Sequence, residues 1–280
     1  MKYLYLDAFS GISGNMFIGA MLDLGLNPDD LKKELKKIKL DGYELKAERK
    51  VQSAIYGTFF DVDLTNDMGT KDHGFDEHQL EHEEEKHGNN HHHYNVRHLS
   101  EIVELIKNSD LNDNVKTHAI NIFNDIGRAE SKAHNLPMSE IHFHEIGATD
   151  SLIDIIGSCI AIDLLGIDEV ISSPISDGHG FINVAHGQMP VPVPAVANML
   201  AGGNVPIHQR EDIHTELLTP TGLGVAKEFV KEFRPIDTQD NIKKVGYGFG
   251  SRETGAFNAL RVFLCERDLS CQDIKKKRMK

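Results

Sequence analysis

The chain has 280 residues, 40% of them hydrophobic and 26% charged, enough for one large globular domain or two small ones. Its net charge of −13, with no basic stripe outside the Lys275–Lys280 run, argues against a nucleic-acid surface. No stretch approaches about 18 consecutive apolar residues, so no membrane span is expected. Met1–Asp7 lacks the shape of a secretion signal. Three scattered cysteines (159, 265, 271) fit a reducing cytoplasm rather than a disulfide framework or a thiolate metal site.

The first predicted element is a strand, Lys2–Asp7. It runs into Ala8-Phe-Ser-Gly-Ile-Ser-Gly-Asn-Met16 and a helix over Phe17–Leu24 that Gly25 stops. Strand, Gly/Ser loop and helix N-terminus together aim backbone N–H groups at an anion. Ser10, Gly11, Ser13 and Gly14 are therefore candidate phosphate-binding residues, and Asp7 is placed to hold a metal or orient a donor. The same glycines also suit a plain βα turn. A helix over Pro28–Ile38 and an antiparallel strand pair, Tyr43–Lys50 and Ile55–Leu64, follow.

From Asn66 the character changes. The span 67–97 has almost no aliphatic residues, and with His98 it carries eight of the 16 histidines, among them His78, His82, His87, His91, His92 and His93. Such a segment cannot bury enough apolar surface to offset chain entropy, so disorder is expected. Many interchangeable imidazoles suit loading or buffering of divalent transition metals; a solvated polar insertion is the plain alternative. Ser100–Asn108 and Leu111–Asn135 then read as a helical hairpin. Glu130 and His134 lie one turn apart near its end.

The densest chemistry is Ile141–Asp154, I-H-F-H-E-I-G-A-T-D-S-L-I-D. If 141–146 is extended, His142 and His144 share one face. Gly147 breaks the strand, and Thr149 or Asp150 caps a helix with apolar positions through Leu164. Asp150 and Asp154 share a face at its start. Imidazole suits nickel, zinc, copper or iron, and carboxylate adds a hard oxygen. His142, His144, Glu145 and Asp150 are the candidate reaction centre. Taken singly, each also reads as a buried polar residue with a partner, or, for Asp150, as a cap.

A strand over Asp168–Ser173 comes next. His179 and His186 then sit on Gly-flanked loops, as second-rank ligands or bases with Glu216. Pro190–Pro194 is stiff and leads into a helix over Ala195–Leu200; Val205–His208 is a strand. Thr219-Pro-Thr-Gly222 starts a helix running to Phe233, with Thr219 as N-cap and Pro220 at N1. Thr219, Thr221 and Gly222 form a second candidate anion site. Val245–Ser251 reads as a Gly-alternating turn and Asn258–Leu264 as a last strand.

The expected class is α/β: a mixed sheet with flanking helices, the 141–157 cluster near the sheet edge, a helical hairpin and a disordered His-rich insertion. The expected organisation is a first core part (1–65), the insertion (66–97), the hairpin (98–137), the rest of the core (138–266) and a tail (267–280).

Taken together, L-Y-L-D-A-F-S-G-I-S-G-N-M at 4–16, the His-rich insertion, I-H-F-H-E-I-G-A-T-D-S-L-I-D-I-I-G at 141–157, G-H-G at 178–180, P-V-P-V-P-A at 190–195 and T-P-T-G at 219–222 resemble the LarC family over nearly the whole chain. The resemblance implies insertion of Ni²⁺ into pyridinium-3,5-bisthiocarboxylic acid mononucleotide. In the family this is a CTP-dependent cyclometallation that gives the nickel-pincer nucleotide of lactate racemase and its relatives. Two departures stand out. Asn15 occupies a position where family members usually carry Asp. Family chains are also longer, with a C-terminal domain to which binding of CTP with Mg²⁺ or Mn²⁺ is assigned, so this chain resembles the N-terminal portion. The implied partners are the mononucleotide, a C-terminal LarC-type domain in trans, further copies of the chain and apo lactate racemase as acceptor. A nickel storage or delivery protein shares the His-rich segment without needing anion loops. A metal-dependent phosphoesterase is the third reading, since it too wants His/Asp clusters beside a phosphate cradle.

Overall fold

The computed structural model describes residues 1–65, 97–143, 149–184, 187–238 and 240–267, with the backbone only at His142. Seven strands form the main sheet: β1 (Lys2–Asp7), β2 (Tyr43–Gln52), β3 (Ile55–Leu64), β4 (Glu169–Ser172), β5 (Val230–Phe233), β6 (Asn241–Phe249) and β7 (Ala259–Glu266). Their order is β5-β4-β1-β7-β6-β3-β2. The β5–β4, β4–β1 and β6–β3 pairs are parallel, and β1–β7, β7–β6 and β3–β2 are antiparallel. The sheet is mixed, as the sequence pattern led us to expect.

Seven helices accompany it among the described residues: α1 (Gly14–Leu24), α2 (Pro28–Leu35), α3 (Leu99–Asn108), α4 (Asp113–His134), α5 (Thr149–Leu165), α6 (Pro194–Leu200) and α7 (Pro220–Phe229). Alternation along β1 divides the two faces of the sheet. Leu4 and Leu6 enter the main core with α1, α2 and α5, while Tyr3 and Tyr5 join Ile171 and Cys265 in a small cluster opposite. α1 lies across β6 and β3, α5 packs behind it, and α4 reaches α5, α6 and α7. The α3–α4 hairpin forms as predicted. Its first helix begins at Leu99, one residue early, because the backbone N–H of His98 donates to Glu101 Oε2 at 2.8 Å and closes the first turn.

Several expectations change. Val245–Phe249 is the end of strand β6, not a turn. A Cβ on Gly248 would collide with the Met16 carbonyl and the Ala20 amide of α1, so this glycine lets helix backbone settle onto sheet backbone. The last predicted helix stops at Phe229, because Val230–Phe233 leaves it to pair in parallel with β4. The strand predicted over 141–146 is described only at His142–Phe143. It pairs with Arg97–His98, where the His-rich span rejoins the fold, and not with the main sheet. The described residues of the 141–157 cluster thus lie on this short pair and on α5, which packs against β3, rather than on a strand of the main sheet. The predicted disorder of 66–97 lies, apart from Arg97, outside the described residues.

Candidate functional site

Two loops fix the geometry. After β1 the chain turns through Gly11 in a left-handed conformation (φ +78°) that favours glycine. The Ile12 N–H donates to the Leu217 carbonyl (3.1 Å), and the Thr219 N–H donates to the Ile12 carbonyl (3.2 Å). These bonds zip the Ser/Gly loop and the Thr-Pro-Thr-Gly motif side by side, so α1 and α7 start as neighbours. A Cβ on Gly222 would overlap the Ile12 carbonyl, so the pairing needs glycine there. Ser13 caps α1 by accepting from the Met16 N–H (3.4 Å), and its hydroxyl donates to Asn15 Oδ1. Thr219 caps α7 by accepting from the Gly222 N–H (3.1 Å), with the Thr221 hydroxyl 2.9 Å away. The predicted N-cap at Thr219 and Pro220 at N1 are both observed.

Beside these helix starts lies a cavity of about 320 Å³, within the usual size range of small-molecule sites. Ser13, Asn15, Thr219 and Thr221 line one part of it. Asp150, Ser151 and Asp154 of α5 line another, with Glu130 and His134 from the last turn of α4. Asp61 of β3, Glu216 and Arg252 complete the charged lining. Val184, Met189, Val193 and Phe143 supply apolar walls. The first turns of α1, α5 and α7 all line this cavity, and helix N-termini favour negative charge. Asp150 Oδ1 accepts from the Ser151 N–H at 2.8 Å, as a residue in the first turn can. His134 Nε2 lies 3.4 Å from Glu130 Oε2.

The other predicted residues divide into three groups. Ser10 and Gly11 support the α1 loop but do not line the cavity; Ser10 is buried. Asp7 pairs with Arg261, its neighbour across the β1–β7 ladder, and also lies outside the lining. His179 is elsewhere too: its Nδ1 faces the carbonyls of Arg210 (3.1 Å) and Ile213 (3.0 Å). A carbonyl only accepts, so Nδ1 carries the proton. The ring stacks obliquely on His214, with centroids 4.3 Å apart. His78, His82, His87, His91, His92, His93, His144, Glu145, His186 and the side chain of His142 lie outside the described residues. Among the described residues, no three His, Cys, Asp or Glu side chains gather as a metal ion would require.

Sequence reasoning passed over Arg252, Asp177, Asp61 and Asn258. Asp177 is fully buried, and its Oδ1 accepts from the N–H groups of Gly178 (2.8 Å), Leu217 (2.9 Å) and Leu218 (3.1 Å). It anchors the backbone between Glu216 and Thr219. Burial holds its carboxyl above the usual range, although those three N–H bonds pull the other way. Arg252 Nη1 donates to Glu216 Oε2 at 2.6 Å. The only sequence signal for Arg252 was a single cation just after a Gly-rich strand end.

The fold and lining define an α/β protein with a carboxylate-rich cavity built at helix N-termini. The chain belongs to the nickel insertion protein family, whose model matches residues 4–279; this is the LarC family that the motifs resemble. A pyridinium-3,5-bisthiocarboxylic acid mononucleotide nickel insertion protein of Lactiplantibacillus plantarum is 55% identical over 98% of this chain and 64% of its own length. Proteins of the same description from Acetivibrio thermocellus and Geobacillus kaustophilus are 46% and 41% identical, over 94% and 95% of this chain and 60% of each relative. The chain thus spans somewhat under two thirds of the length of these relatives. No solved structure matches it.

Proposed function

We propose that this chain is the nickel-binding, substrate-holding part of an enzyme that inserts Ni²⁺ into pyridinium-3,5-bisthiocarboxylic acid mononucleotide, in the cytoplasm. The observation that carries the reading is the cavity. In a chain of the nickel insertion family it gathers Asp150, Asp154, Glu130 and His134 with the N-termini of α1 and α7, Asp154 lying directly against Gly14.

The chemistry has three needs. Nickel must be held loosely enough to be handed on, which imidazole and carboxylate supply better than a closed thiolate cage. The mononucleotide phosphate needs an anion site, and the α1 and α7 starts suit it. A base must take the ring proton as the carbon–nickel bond forms. His142, His144, Glu145 and Asp150 are assigned to hold nickel, with one of the histidines or carboxylates taking that proton. His186 stands behind them as a further ligand, and His78, His82, His87, His91, His92 and His93 as loading ligands; Asp7 and His179, outside the lining, are not part of this set. The CTP dependence of the family, with Mg²⁺ or Mn²⁺, is assigned to a C-terminal LarC-type domain acting in trans. Apo lactate racemase is the acceptor of the product.

The test supplies the purified mononucleotide precursor, Ni²⁺, Mg²⁺ or Mn²⁺ and CTP, with and without the C-terminal domain in trans. Product formed only with the added domain is the expected result. The double variant H142A/H144A should lose insertion even in excess nickel, and full activity there would overturn the assignment. No product in either case, with several nickel ions bound per chain, would favour a nickel store, which the eight clustered histidines would serve.

A further inference from the structure

The reading of this cavity as the mononucleotide site leaves a charge problem. Asp61, Glu130, Asp150, Asp154 and Glu216 all line it, and a phosphate monoester entering there meets carboxylates on several sides. Arg252 is the one Arg or Lys among the described residues of the lining. We infer that Arg252 is the phosphate-reading residue of this cavity, and that Glu216 is the internal anion holding its guanidinium in place until substrate phosphate competes for it.

The guanidinium is mounted on a braced loop. The Gly250 N–H donates to the Asn258 carbonyl (3.1 Å), and Asn258 Nδ2 donates to the Arg252 carbonyl (3.0 Å). Asn258 is itself buried. The Glu216 side chain is only 4% exposed, whereas Arg252 keeps 25% of its side chain accessible. The carboxylate is therefore the fixed member of the pair and the guanidinium the member that can be approached. Glu216 is held from behind, because Asp177 grips the next two amides along the chain. The following residues, Thr219 to Thr221, open α7 and line the same cavity. A phosphate bridging Arg252 and this helix start would combine a charge-assisted fork with the Thr221 N–H and hydroxyl, since Pro220 has no N–H and the Gly222 N–H donates to Thr219 Oγ1. The planar guanidinium suits phosphate better than a lysine ammonium would.

The test is binding, without turnover, to the full chain. The probes are nicotinic acid mononucleotide, which carries a pyridinium ring and a 5′-phosphate, and nicotinic acid riboside, which lacks the phosphate. Titration calorimetry should show wild type preferring the mononucleotide. R252Q should bind it about 10- to 150-fold more weakly, the range for losing a hydrogen bond to a charged group, and should hardly distinguish it from the riboside. R252K should fall between. E216Q breaks the same ion pair but removes the competing carboxylate, so it should bind the mononucleotide several-fold more tightly. A purely structural role for the pair would move R252Q and E216Q in the same direction, and that result would overturn the inference. Equal loss of both ligands in R252Q would overturn it as well, leaving the cavity reading intact. Failure of wild type to bind either probe would overturn the inference together with the substrate reading.

Discussion

Two buried carboxylate–arginine pairs in this molecule do different work. Asp240, on the sheet face away from the helices, is saturated. Its Oδ1 accepts from the Tyr3 hydroxyl (2.8 Å) and Arg234 Nη2 (2.6 Å), and its Oδ2 accepts from Arg234 Nη1 (2.7 Å) and the Asp237 N–H (2.8 Å). That pair ties the 234–240 loop to β1, and neither member lines the cavity. The Glu216–Arg252 pair has an equally sequestered carboxylate, but both its members face open volume that a ligand could occupy. Similar chemistry serves architecture when every lone pair is matched inside the fold, and recognition when the cation faces a cavity.

The comparison breaks most visibly at Asp240. D240N leaves Arg234 without its bidentate partner, and denaturant unfolding should show a loss of about 3–5 kcal/mol. The Arg234 guanidinium holds the Asp240 carboxyl well below the usual carboxylate range. The sign follows from that direction. The stabilisation is complete above the unfolded Asp value of about 3.9 and is lost as pH falls from there through the depressed native value. Wild type should therefore show an acid-side loss of stability that D240N lacks.

E216Q should cost less, about 1.5–3 kcal/mol, because Arg252 can be rehydrated from the cavity when its carboxylate is lost. A loss as large as that of D240N would erase the distinction between the pairs. The smallest expected effect is T219A. Removing the α7 N-cap should lower stability by about 1 kcal/mol, readable as a modest fall in the unfolding midpoint with an unchanged slope. Those three values, falling in that order, would separate scaffold, recognition pair and cap.

Local patterns made much of the fold legible. Period-2 alternation in 55–64 and period-3.6 spacing in 111–135 mark β3 and α4. Gly25 at the end of α1 and Thr219-Pro220 at the start of α7 mark helix boundaries to the residue. Signals that depend on distant partners misled. The Gly-x-Gly run at 246–250 resembles a turn when read alone, because the reason for Gly246 and Gly248 is a helix more than 200 residues earlier in the chain. Val230–Phe233 continues a helical pattern until β4 offers it parallel hydrogen bonds.

The same division holds for the site. Sequence alone determined which short segments form the local structures of the candidate site: the Ser/Gly loop, the Asp150 and Asp154 helix start and the T-P-T-G cap each express a local preference for a turn, a cap or a paired face. Only the tertiary structure decided that these starts share one cavity, that Asp7 and His179 stand outside its lining, and that Glu216 meets Arg252 36 residues away. Caps and turns are set by neighbours within a few residues. Convergence of helix ends and the pairing of a buried charge depend on which surfaces the core brings together, and no local pattern in the chain encodes that.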